Sequence, residues 1–94
     1  MVFEKKFHPK IKSDLKKIDK QLIKNIKEIH IQNIAKNPYK YPRLKGNLSN
    51  FFSYHFRENK IDYRIGYEII DNKVVLYLII AKRENFYKNL LKRI

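Results

Sequence analysis

IDYRIGYEIIDNKVVLYLIIAKRENFY, residues 61 to 87, decides the fold. Ile61, Tyr63, Ile65, Tyr67 and Ile69 alternate with Asp62, Arg64, Gly66 and Glu68, the period of a strand with one buried and one exposed face. Ile70 breaks the alternation just before the turn Asp71-Asn72-Lys73. Val74 to Ile80 is apolar on both faces, which predicts a central strand with a neighbour on each side. Ala81-Lys82-Arg83-Glu84-Asn85 then sets four polar side chains where a strand ends and a helix begins. Rigid elements commonly aim functional loops from such ends.

Upstream, Phe52, Tyr54 and Phe56 alternate with Phe51, Ser53, His55 and Arg57, and Glu58-Asn59-Lys60 turns that strand into the one at Ile61. Residues 38 to 50 hold Pro42, Gly46, Asn47 and Ser49 without a period and read as a loop. Before it, Val2 to Phe7 reads as a short strand, and His8-Pro9 opens a helix with Ile11, Leu15, Ile18 and Leu22 at helical spacing. Asp19 is the expected N-cap of a second helix whose buried stripe is Leu22, Ile26 and Ile29, flanked by Ile23 and Ile34, up to the stop at Asn37-Pro38. The pattern leaves two helices or one bent helix open. The last helix, from Arg83 to Ile94, carries Phe86, Leu90 and Ile94 at intervals of four, with Tyr87 and Leu91 alongside.

Strand, helix, helix, strand, strand, strand, helix predicts an α+β fold, residues 1 to 94 forming one domain. The last three strands form an antiparallel meander, which the first joins after a helical crossover, and the helices pack mainly on one face. No apolar run approaches the ~20 residues of a membrane span, and the opening residues lack a secretory h-region. A cytoplasmic protein without a membrane partner is expected. With no cysteine and only His8, His30 and His55, a disulfide framework is excluded, and neither a metal site nor a cofactor is expected.

The 22 Lys and Arg outnumber the 9 Asp and Glu, for a net charge of +13. The excess is shared by both halves of the chain, so the fold as a whole attracts polyanions: nucleic acid or an acidic protein. A lysine-rich solvated surface is the plainer reading. The five arginines, at 43, 57, 64, 83 and 93, are the more informative cations, because a planar fork grips phosphate or carboxylate.

If Phe52, Tyr54, Tyr63 and Ile65 face the core, His55 and Arg64 emerge on the same side of adjacent strands, and Arg83 follows at the end of the third. Lys45, Arg57 and Lys82 lie near as RNA-binding cations. This set suits cleavage of RNA by its own 2′-hydroxyl, which needs a base, cations for the phosphorane oxygens and in-line geometry. His55 is the natural base, its pKa held down by its cationic neighbours. Glu84, kept ionised beside Arg83, is the second candidate. Each has a plainer alternative: Arg64 paired with Glu68 or Asp62, His55 an ordinary strand residue, Tyr87 and Phe86 docking the last helix. His8 reads as a helix-start residue and His30 as helix surface.

The DYRIGYEI strand followed by an apolar strand running into AKRENFY resembles the RelE/ParE superfamily of bacterial type II toxin-antitoxin toxins, as does Leu44-Lys45-Gly46 before the second strand. The resemblance implies a toxin that cleaves messenger RNA in the ribosomal A site. It would be a monomer on its own and a hetero-oligomer with an acidic antitoxin. Arg64 matches the family's strand arginine, Arg83 the arginine or histidine after the last strand, and Tyr87 the aromatic a turn later, a candidate for base stacking. Where some members carry two lysines this chain has Ser53 and His55, which moves the expected base to His55. The superfamily also implies a ParE-like poison of DNA gyrase that cleaves nothing. A third alternative is a catalytically inactive RNA-binding domain.

Overall fold

Strand β4 (Val74–Lys82) lies between β1 (Glu4–Phe7) and β3 (Ile61–Ile70), and β2 (Phe51–Glu58) flanks β3, in the computed structural model, which describes residues 2–94. The apolar strand is internal, as its two-sided pattern requires. β1 pairs with it in parallel, while β2, β3 and β4 form the antiparallel meander. Both hairpin turns put two residues in the left-handed region, Asn59 and Lys60 at φ 52° and 65°, and Asp71 and Asn72 at φ 53° and 56°. Two positive-φ centres match the right-handed strand twist, and they fix the pairing of β2 with β3.

Helix α1 (Ile11–Leu15) is separate from α2 (Lys20–Asn25), which settles the question of one helix or two. Asp19 caps α2 as expected, its carboxylate accepting the Leu22 N–H at 2.9 Å. From α2 the helix passes through a π turn (Ile26–His30) into α3 (Ile31–Lys36). The Ile31 N–H bonds to the Ile26 carbonyl, and this wider turn moves the buried stripe from Leu22 and Ile26 to Ile31, Ile34 and Ala35. Ile29, expected inside, is therefore 49% exposed. His30, expected on the surface, instead stacks on Phe56 with ring centroids 4.0 Å apart and bridges the Tyr54 hydroxyl (2.8 Å) and the Glu58 carboxylate (2.9 Å). That bond, followed by one from Asn25, outweighs burial and holds the Glu58 carboxyl below its ordinary pKa.

These helices cover one face of the sheet, burying Phe52, Tyr54, Phe56, Tyr63, Ile65, Tyr67 and Tyr77. Two of the tyrosines are fully buried because each hydroxyl finds a carbonyl: Tyr67 donates to Pro38 O at 2.6 Å, and Tyr77 to Ile31 O at 2.8 Å. The opposite face holds a second cluster of Leu44, Leu78, Ile79, Phe86 and Leu90. Helix α4 (Phe86–Leu91) seals it, after a 3₁₀ turn at Arg83–Asn85. Ile94, expected on the buried stripe of this helix, is 52% exposed, and the Arg93 side chain turns inward instead.

Gly66 sets how closely α4 approaches the sheet. A Cβ there would lie 2.9 Å from Ile79 Cγ2 and 3.0 Å from Phe86 Cζ. Gly66→Ala is expected to cost about 1–3 kcal/mol through overpacking, read by urea denaturation, and to push Phe86 outward.

Candidate functional site

Residues facing α4's side of the sheet build one open basic cleft. In the β2–β3 register His55 lies directly opposite Arg64, Ser53 opposite Gly66 and Arg57 opposite Asp62. Arg64 in turn faces Ala81 on β4, two residues before Arg83. The two-residue turn at Asn59 and Lys60 dictates this alignment, so the histidine and the strand arginine meet because of hairpin length.

Three adjoining recesses share Arg64. The first is lined by Lys60, Asp62, Lys82, Arg83, Glu84 and Tyr87 with it, the second by His55, Arg57, Asp62 and Arg83, and the third by Arg43, Lys45, Ser53, His55 and Tyr87. All eight residues expected at a site (His55, Arg64, Arg83, Tyr87, Glu84, Lys45, Arg57 and Lys82) thus line connected surface. Open, confluent recesses suit an extended strand better than an enclosed small molecule.

The guanidinium of Arg64 lies over the aromatic rings of α4, its Cζ 5.8 Å from the Phe86 centroid and 5.7 Å from that of Tyr87. No ion pair to Glu68 or Asp62 forms; Asp62 instead approaches Arg57 at 3.8 Å, in an exposed contact. Stacking on two rings aims the fork without neutralising it. Phe86 is the core residue that docks the helix, while Tyr87 is 48% exposed at the rim. Glu84 is exposed beside Lys82 and Arg83.

Ser53, expected on the open face, lies on that side of β2 but is buried. The segment from Pro42 to Leu44 runs along β2, with Ser53 N–H bonded to Pro42 O and Leu44 N–H to Phe51 O, both at 2.9 Å, and covers it. Its hydroxyl meets His55 Nε2 at 2.9 Å. The same segment brings in Arg43, which packs 4.9 Å from the Phe52 ring centroid and lines the third recess. Its residue type was the only sign of it in the sequence.

The His55 pKa is lowered, first by partial burial and then by Arg64 and Arg83, with Asp62 opposing. The imidazole therefore stays neutral below the ordinary value of 6.5. An NMR titration of its ring protons is expected to give a midpoint below 6.5; Arg64→Ala raises it, and Asp62→Asn lowers it further. Among the described residues no three His, Asp or Glu side chains gather to hold a metal ion. No helix among them is long and apolar enough to cross a membrane.

The four-strand sheet with its helices on both faces is the fold of the RelE toxins. The free E. coli toxin RelE, as a doubly substituted mutant, matches with a TM-score of 0.75 and 22% identity, over 100% of this chain and 99% of that one. The toxin-antitoxin complex RelBE2 of Mycobacterium tuberculosis matches with a TM-score of 0.74 and 22% identity, over 88% of this chain and 100% of that one. The E. coli mutant in complex with an antitoxin RelBc peptide gives a TM-score of 0.67 at 21% identity, over 100% and 99%. No curated protein matches in sequence. Residues 5–91 match the family described as the ParE-like toxin of type II bacterial toxin-antitoxin systems, and the chain belongs to that family.

Proposed function

We propose that this toxin is a ribosome-dependent endoribonuclease that cleaves messenger RNA in the A site. The observation carrying this reading is the gathering of His55, Arg64, Arg83 and Tyr87 around one open cleft. A protein that only bound gyrase would not need a histidine and two guanidiniums to converge.

His55 removes the proton of the 2′-hydroxyl, the 2′-oxygen bonds to phosphorus, and the bond to the 5′-oxygen breaks. The products are a 2′,3′-cyclic phosphate and a 5′-hydroxyl whose proton comes from solvent. Arg64 and Arg83 hold the non-bridging oxygens as charge builds, where one donor contributes roughly 3–4 kcal/mol. Tyr87 stacks on a neighbouring base, and Lys45, Arg57 and Lys82 grip the flanking phosphates. Glu84 is a second proton acceptor on the Arg83 side. None of these steps calls on a bound cofactor.

An acidic antitoxin silences the toxin. Thirteen net positive charges on 94 residues favour a partner that is acidic and orders on binding, forming a hetero-oligomer from a monomeric toxin.

Primer extension on a defined message in a reconstituted translation system tests the reading. New 5′ ends within the translated frame, absent without ribosomes, are the expected result. An uncut message with translation intact would overturn it, and a supercoiling assay would then test gyrase poisoning.

A further inference from the structure

We infer that Asp14 and Arg93 are positioning residues for the cleft: their buried ion pair fastens α4 to the sheet edge and so holds the ring of Tyr87 against Arg64. As regards cleavage this rests on the proposed function; as regards geometry it does not.

Helix α4 has six residues, of which only Phe86 and Leu90 are buried. A helix that short does not sustain itself in water. Tyr87, Leu91 and Ile94 face outward, so two apolar anchors must set both its seat and its rotation. Yet its first two residues support Arg64, which lines all three recesses.

A second fastening lies at the far end of the helix. Arg93 sends one guanidinium nitrogen to Asp14 Oδ2 at 2.5 Å and the other to Asp14 Oδ1 at 2.6 Å, and the first also donates to Leu78 O at 2.9 Å. Asp14 Oδ2 accepts the Ile80 N–H as well, at 3.0 Å. Pairing of β1 with β4 ends at Tyr77, the last bond being His8 N–H to Tyr77 O. Beyond it, the Leu78 carbonyl and the Ile80 amide would face a missing neighbour. The ion pair occupies that place. It finishes the sheet edge with side chains and ties α1, β4 and the turn after α4 into one joint. Both side chains are nearly buried, at 6% and 10% exposure, so salt screens the pair little.

A test should separate holding α4 from merely stabilising the fold. Asp14→Asn/Arg93→Met removes both charges at similar volume and keeps an acceptor for the Ile80 amide. Hydrogen exchange is expected to quicken at least about tenfold for amides 86–93, with β3 amides unchanged. The ring-current shift that Tyr87 imposes on the Arg64 side chain should weaken as well. In the translation assay kcat should fall more than KM rises. Arg93→Lys, which keeps the charge but not the fork, should fall between in every readout, and it alone decides the matter if the double variant does not fold. Unchanged α4 protection and an unchanged Arg64 shift would overturn the inference. So would a uniform loss of protection through sheet and helix together. Failure of the cleavage reading would show separately, as no cutting by the unsubstituted toxin with the exchange results intact.

Discussion

Arg83→Ala is expected to lower the proposed cleavage about a hundredfold or more and to leave the fold intact. The expectation rests on what the side chain does and does not touch. Arg83 follows the last residue of β4 and is exposed, and its side chain makes no hydrogen bond or ion pair to the rest of the described fold. It lines both the recess shared with Arg64 and Tyr87 and the one shared with Arg64 and His55. Removing it therefore costs little in packing, whereas loss of one donor to a developing oxyanion lowers rates by about 10² to 10³. Arg64→Ala should be as damaging but less clean, because it also uncovers Phe86 and Tyr87. Single-turnover cutting of a ribosome-bound message, beside a urea denaturation curve, checks the claim. Full activity in a folded Arg83→Ala protein removes Arg83 from the mechanism.

The parts of this molecule that local chemistry fixes were legible in the sequence. A strand period of two residues sorts side chains to two faces without knowledge of the partner, and a two-residue turn then dictates which residues meet. His55 and Arg64 could be placed on the same side of adjacent strands on that basis, and Asp19 could be named as a cap; their direct pairing follows from Glu58 lying in β2 rather than in the turn. What stayed hidden depends on contacts distant in sequence or on slips in backbone bonding. The π turn that exposes Ile29 and buries Ile31 leaves no mark in residue types. Ser53 is buried by a segment near Pro42 whose path no periodicity encodes. His30 reads as helix surface until Glu58 and Tyr54 arrive from β2. Asp14 looks like an ordinary polar residue on a lysine-rich helix, and its partner lies 79 positions away.

That partner carries the largest expected effect on stability. Arg93→Ala strands the Asp14 carboxylate, which is short, held on α1 and buried, with the Ile80 N–H as its remaining donor. Breaking a buried pair from one side costs about 3–5 kcal/mol, because the surviving charge has lost both its water and its counterion. Asp14→Ala should cost less. The long Arg93 side chain sits on an exposed turn and can swing its guanidinium into water, leaving the Ile80 amide as the group without a partner, at about 1–3 kcal/mol. Against a total of about 5–15 kcal/mol for a domain, the first substitution approaches the threshold of unfolding and the second does not. Urea denaturation of the two single variants and of Asp14→Asn/Arg93→Met orders them. The expected sequence of midpoints, from lowest to highest, is Arg93→Ala, Asp14→Ala, then the double variant, close to the unsubstituted protein. If Arg93→Ala unfolds at the same urea concentration as the unsubstituted toxin, the pair is not buried in solution, and α4 is held by Phe86 and Leu90 alone.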